Sequence, residues 1–171
     1  YDITNDYIEL FKNNINFGKR RIKVVVDPGN GTTSVIVKKI YDKFPVDLIY
    51  INDESDGHIP NHHPDPAVAE NLVQLQKAVK DNKADFGVAY DGDGDRIGVV
   101  MENGEILQIE HLMLLYIKDM INSVSNKTFL YDIKCSKVME DMISLWGGKG
   151  ICYRTGASYT QYKVAQDNLP F

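Results

Sequence analysis

The sequence predicts a layered α/β domain with a mixed sheet and crossover helices, followed by a truncated second domain of similar α/β type. Three observations carry this. Short β-branched runs alternate with stretches whose apolar residues recur at helical spacing, the order that lays helices as crossovers against a sheet. Asn103-Gly104 between two apolar runs is a strong hairpin signal, which adds antiparallel pairing to the sheet. Beyond it the same alternation begins again and stops at Phe171 with fewer elements than a finished domain.

Taken in order, Ile3, Tyr7, Phe11 and Ile15 recur every four residues and predict an amphipathic helix over 2–15. Ile22 to Val26 reads as a buried strand ending at Asp27. Pro28-Gly29-Asn30-Gly31 is a turn, and Val37, Ile40, Tyr41 and Phe44 follow at helical spacing. Val46 to Ile51 is a second strand. Residues 52–66 are polar and proline-rich, a loop holding His58, His62 and His63. Val68, Leu72, Leu75 and Val79 predict another helix, and Asp85 to Tyr90 a third strand. Ile97 to Met101 and Glu105 to Leu107 flank the hairpin turn, so the first domain is expected over 1–104 and the second over 105–171. The second domain reads as a helix over 109–124, a strand from Lys127 to Asp132, a helix over 136–146 and a strand from Gly150 to Tyr153.

Composition narrows the function classes. The chain is 43% hydrophobic and 25% charged, the balance of an ordinary globular protein. Net charge is −5, and the one basic cluster, Lys19, Arg20, Arg21 and Lys23, flanks a strand entrance; nucleic acid is not an expected partner. No apolar run approaches the roughly 20 residues of a membrane-spanning helix, so no membrane partner is expected. Cys135 and Cys152 lie in no ligand or redox spacing and read as reduced thiols of a cytoplasmic protein. Because the chain opens on Tyr1, it is expected to begin inside a longer protein.

The sharpest local signal is Asp91-Gly92-Asp93-Gly94-Asp95-Arg96, directly after a strand. Three carboxylates at i, i+2 and i+4 with glycines between them can curl around a point. Without a cation they repel, by about 4 kcal/mol for unit charges at 4 Å and an effective dielectric of 20. An all-oxygen donor set suits magnesium, manganese or calcium rather than zinc. Counting residues, Asp91, Asp93, Asp95 and Glu102 also satisfy a calcium-binding EF-hand loop, but Arg96 stands where that loop needs glycine and the flanks read as strands. An aspartyl-nucleophile phosphatase, with Asp91 attacking phosphate, is the other alternative; there Asp95 replaces the expected Thr or Val. His62-His63 has no third ligand at metal spacing and reads as a hydrogen-bonded, loop-structuring pair.

Several segments together resemble the α-D-phosphohexomutases of the phosphomannomutase/phosphoglucomutase branch. The acidic loop resembles the family's magnesium loop, and Val25-Val26-Asp27-Pro28-Gly29-Asn30-Gly31 its Val-Val-Asp-x-Gly-Asn-Gly turn. Ile59-Pro60-Asn61-His62-His63-Pro64-Asp65-Pro66 matches its Asn-His-His-Pro-Asp-Pro loop, Tyr131 to Ser136 its Phe-Asp-Val-Lys-Cys-Thr segment, and Arg154-Thr155-Gly156 its Lys-Thr-Gly loop. The resemblance implies Mg2+ held by Asp91, Asp93 and Asp95, and an intramolecular phosphotransferase that interconverts hexose 1-phosphate and hexose 6-phosphate. A phosphoserine of a preceding domain would give its phosphoryl group to hexose phosphate and recover the other from the hexose bisphosphate. Arg96 would act electrostatically near the phosphoryl group, or else neutralise the loop as an ion pair. Lys134, Thr155 and Gly156 would contact the sugar phosphate. Ala157 stands where this branch usually carries histidine, which leaves the sugar preference open. By the same resemblance the phosphoserine domain would precede Tyr1, and the Glu-x-Ser-Gly-His loop and a fourth domain would follow Phe171. Residues 1–171 alone are therefore expected to bind metal weakly and to catalyse nothing.

Overall fold

Three valines set the centre of the first sheet. Val24, Val25 and Val26 lie on β1 (Lys23–Asp27), and all three are buried, as expected of a strand covered on both faces. In the computed structural model, which describes residues 1–171, the chain divides into two units, Tyr1–Leu107 and Gln108–Phe171. The first begins with α1 (Thr4–Asn14) and β1, continues through α2 (Val37–Tyr41), β2 (Asp47–Tyr50) and α3 (Val73–Asn82), and ends in β3 (Phe86–Tyr90), β4 (Ile97–Met101) and β5 (Ile106–Leu107). The strand order is β2-β1-β3-β4-β5, with β2 and β3 parallel to β1 and the β3–β4–β5 run antiparallel. This is the mixed α/β sheet the sequence predicts.

The two crossovers cover opposite faces. Val24, Val26 and Val88 pack with Val37 of α2 on one side, whereas Val25, Ala89 and Val100 pack with Leu75 and Val79 of α3 on the other. The chain steps from β1 to β2 on one side, then back across β1 to β3 on the other. In such a sheet the reversal leaves a crevice at the carboxyl ends of the strands on either side of it. The loops after β1 and β3 therefore meet at that end.

Gly87 on β3 allows α3 its close approach. A Cβ there would stand 2.6 Å from both Leu75 Cδ1 and Val79 Cγ2, two buried side chains with nowhere to go. Gly87→Ala is expected to destabilise the chain by about 1–3 kcal/mol through overpacking. Urea unfolding measures this, and a variant as stable as the wild type would contradict the packing described.

One expectation needs correction. The helix over Thr4–Asn14 is present, but its Ile3-Tyr7-Phe11-Ile15 stripe does not face a core: Ile3 is 66% exposed, and the buried residue of α1 is Ile8. The two compact units divide at Leu107/Gln108, since β5 returns onto β4 and belongs to the first sheet.

The second unit contains α4 (Ile109–Met120), β6 (Thr128–Asp132), α5 (Val138–Leu145), β7 (Lys149–Tyr153) and α6 (Ala157–Asp167), with β6 and β7 parallel. Its core gathers Leu114, Ile117 and Ile121 with Phe129, Met139 and Ile143. The Phe171 carbonyl accepts the Leu130 amide at 3.2 Å, and the Phe171 ring meets Phe129 edge-on at 5.8 Å. The sequence reading placed no element after Tyr153. The Tyr- and Thr-containing run of α6 has modest helix propensity and no buried residue, so it gives no periodic signal.

Candidate functional site

The acidic loop leaves β3 at Tyr90 and turns back into β4 at Ile97. One carboxylate oxygen from each of Asp91, Asp93 and Asp95 lies within 4.8 Å of the others. Asp91 is buried and the other two are exposed, so the cluster opens outward from a fixed base. The turn depends on Gly94 at φ +80°, where a side chain would also run into the Thr33 hydroxyl. Charge within the loop is unbalanced: Asp93, and then Asp91, push the Asp95 carboxyl above its ordinary range. A hard divalent cation would relieve that repulsion, and an all-carboxylate donor set is what such a cation takes. The residues present fit the metal.

Arg96 is bound into the loop. Its backbone N–H donates to Asp91 Oδ1 at 2.9 Å, its Nε to Asp91 Oδ2 at 2.8 Å and its Nη1 to Asp65 Oδ1 at 2.9 Å. Burial raises the Asp91 carboxyl, but these bonds outweigh it and hold Asp91 below its usual range. Each Asp91 oxygen thus accepts one hydrogen bond from Arg96, which favours the ion-pair reading of Arg96 and leaves a lone pair on each oxygen for a cation. Glu102 lies past the end of β4, whose five residues at about 3.4 Å each carry it about 17 Å from the loop. It takes no part in the cluster, and the EF-hand count fails.

The loop at 61–65 explains how the acidic turn keeps its shape. Asn61 Nδ2 donates to Asn30 Oδ1 at 2.8 Å, which holds the Gly29–Gly31 turn from outside. Pro64 is buried where a Cβ on Gly29 would meet its Cβ at 2.9 Å and one on Gly92 its Cγ at 3.6 Å. Thr32 then donates its N–H at 2.9 Å and its hydroxyl at 3.0 Å to the Gly92 carbonyl. A Cβ on Gly31 would stand 2.7 Å from that same oxygen, so the close approach needs glycine. Beneath them Asp27 is fully buried; its Oδ1 accepts Gly29 N–H and Asn52 Nδ2, and its Oδ2 accepts His62 Nε2 at 3.0 Å. His62 therefore structures the loop, while His63 is exposed.

Lys134, Thr155 and Gly156 form their own group in the second unit, at the carboxyl ends of β6 and β7. Asp132 Oδ1 accepts the Lys134 amide at 2.8 Å and the Thr155 hydroxyl at 2.9 Å. Gly156 has φ +131°, and the Arg154 guanidinium lies 3.4 Å from the centre of the Tyr159 ring. Glu110 accepts the Ser136 N–H at 2.7 Å and hydroxyl at 2.8 Å, which pins the far end of the Lys134 loop. Sequence reasoning gave no role to Asp27, Asp65, Asp132 or Glu110. For Asp27 and Asp132 the available signal was an acid closing a strand with a turn after it, where an Asx turn forms.

The family described as phosphoglucomutase/phosphomannomutase, alpha/beta/alpha domain II, matches residues 5–104. A phosphomannomutase/phosphoglucomutase of Pseudomonas aeruginosa is 38% identical over 165 residues, covering 96% of this chain and 35% of that protein. A phosphomannomutase of Methanocaldococcus jannaschii is 38% identical over 134 residues, covering 78% of this chain and 30% of that protein. A crystal structure of a phosphoglucomutase/phosphomannomutase family protein from Burkholderia thailandensis superposes with a TM-score of 0.95 at 32% identity, covering 99% of this chain and 37% of that one. The chain thus spans about a third of the length of the curated relatives it matches, 35% of the Pseudomonas protein.

Proposed function

The chain belongs to the phosphoglucomutase/phosphomannomutase family, and from that premise we propose that it supplies the metal-holding and part of the sugar-contacting machinery of a cytoplasmic phosphohexomutase. The reaction is the interconversion of hexose 1-phosphate and hexose 6-phosphate through a phosphoserine and a hexose bisphosphate. The observation that carries this reading is the convergence of Asp91, Asp93 and Asp95 at the carboxyl end of a family-matched sheet. Mg2+ bound there would neutralise charge on the phosphoryl group in transit. Asp93 and Asp95 face outward and supply the exposed part of the donor set, while Asp91, gripped by Arg96, fixes its base. In the second unit Lys134 offers an ammonium to a phosphate, Thr155 a hydroxyl, and Gly156 room for a sugar to approach the backbone. No helix is long and apolar enough to cross a membrane.

The test is a coupled assay on the intact protein with glucose 1-phosphate and mannose 1-phosphate. Turnover is expected with Mg2+, loss on chelation, and recovery when Mg2+ is returned. Glu102→Gln is expected to change neither turnover nor metal affinity, since Glu102 lies far from the loop. Residues 1–171 by themselves are expected to show no turnover. A metal-replete intact protein inert toward every hexose phosphate would overturn the assignment.

A further inference from the structure

Asp27 and Asp132 occupy the same place in two different sheets. Each closes the first strand of a parallel pair, β1 beside β2 and β6 beside β7. Asp27 Oδ1 accepts the backbone N–H two residues on, from Gly29 at 3.0 Å, and the side chain of Asn52 at 3.1 Å. Asp132 Oδ1 accepts the backbone N–H two residues on, from Lys134 at 2.8 Å, and the side chain of Thr155 at 2.9 Å. Asn52 and Thr155 each stand two residues past the end of the neighbouring strand, at Tyr50 and Tyr153. In both units one carboxylate oxygen staples the exit loop of its own strand to the exit loop of the next. The same geometry arising twice, from different donors, marks a device and not an accident of one loop.

What the staple holds differs. In the first unit it fixes the turn that abuts Gly92 of the acidic loop. In the second it sets the distance between Lys134 and Thr155. We propose that Asp132 is a positioning residue that fixes Lys134 relative to Thr155 and so sets how tightly the second unit grips a phosphorylated hexose; the substrate part rests on the function proposed above. Both donors are uncharged, so an amide oxygen can still accept from them, more weakly than the carboxylate does. Asparagine keeps that acceptor and alanine removes it. Asp132 is only partly buried, the core at Phe129, Met139 and Ile143 does not include it, and Glu110 still holds Ser136, so the loss releases one end of one loop.

In the intact enzyme Asp132→Ala is expected to raise KM for hexose 1-phosphate about tenfold with kcat changed less than about threefold, the pattern of lost ground-state binding. Mn2+ affinity at the acidic loop is expected to stay at the wild-type value. Asp132→Asn is expected to restore KM to within about threefold. A KM within about twofold of wild type in Asp132→Ala, or an Asn variant as impaired as the Ala variant, overturns the proposal. Were the wild-type enzyme to turn over no hexose phosphate, the function proposed above would fail on its own. Hydrogen exchange at the Lys134 amide then decides the staple. It is expected to quicken about tenfold in Asp132→Ala and not in Asp132→Asn; unchanged exchange in Asp132→Ala overturns the proposal.

Discussion

His62→Leu is expected to cost the chain about 3–5 kcal/mol, the range for breaking a buried ion pair from one side. Asp27 is wholly buried, and the His62 side chain is 11% exposed. The imidazole faces two acceptors, the Asp27 carboxylate through Nε2 and the His63 carbonyl through Nδ1, each at 3.0 Å. A hydrogen bond to the Asp27 carboxylate favours the protonated ring over the neutral one. Leucine fills a similar space but leaves Asp27 Oδ2 buried without its partner. For a chain of this size the melting temperature should fall on the order of 10 °C. The pH dependence separates this from a simple cavity. The hydrogen bond to Asp27 raises the His62 pKa above its ordinary 6.5, against an opposing effect of burial. A group whose folded-state pKa is raised contributes fully below its unfolded value and loses that contribution as pH climbs through the folded one. The stability gap between wild type and variant should therefore be wider at pH 6 than at pH 9 in urea unfolding. A gap that widens with pH would show that the ion pair is not what His62 contributes.

Asp93→Asn and Asp95→Asn are expected to weaken Mg2+ or Mn2+ binding at least tenfold each, and the double variant on the order of 100-fold or more, from the lost charge alone. The same changes should act in the opposite direction without metal. Asp93 and Asp91 already push the Asp95 carboxyl up, a sign that the loop holds mutual repulsion in the folded state. Removing one charge relieves it, so Asp95→Asn should melt higher than wild type in chelator and show a smaller rise when metal is added. Calorimetric titration and paired melts with and without Mg2+ measure both halves. Variants that bind metal as tightly as wild type would remove Asp93 and Asp95 from the site.

What the sequence made legible was whatever is local. The valines of β1, the Asn103-Gly104 hairpin and the acidic turn all announce themselves within a few residues. So does α3, where Leu75 and Val79 are buried as their spacing predicts. The face of α1 was not legible, because periodicity says that a stripe exists and not what covers it. α6 was missed since nothing in it is buried. Glu102 looked like a ligand only while residues were counted; a strand spends its length on distance, a loop does not. The pairs Asp27–His62 and Asp65–Arg96 join residues 35 and 31 positions apart, and no local pattern specifies them. Seeing His62 as a structural group was possible from its lack of a third ligand, but its partner was not.

The hydrogen bonds from Thr32 to the Gly92 carbonyl span 60 residues of chain. Contacts of such separation form late, because the entropy of closing the intervening chain is spent before they return anything. The six residues from Asp91 to Arg96 therefore do not own their shape. A short peptide copying them would have the charges and the glycines but not the Thr32 donors to the Gly92 carbonyl, the Pro64 wedge or the carboxylate of Asp65. Grafting the motif onto another scaffold therefore means grafting the meeting of two loops that lie far apart in sequence.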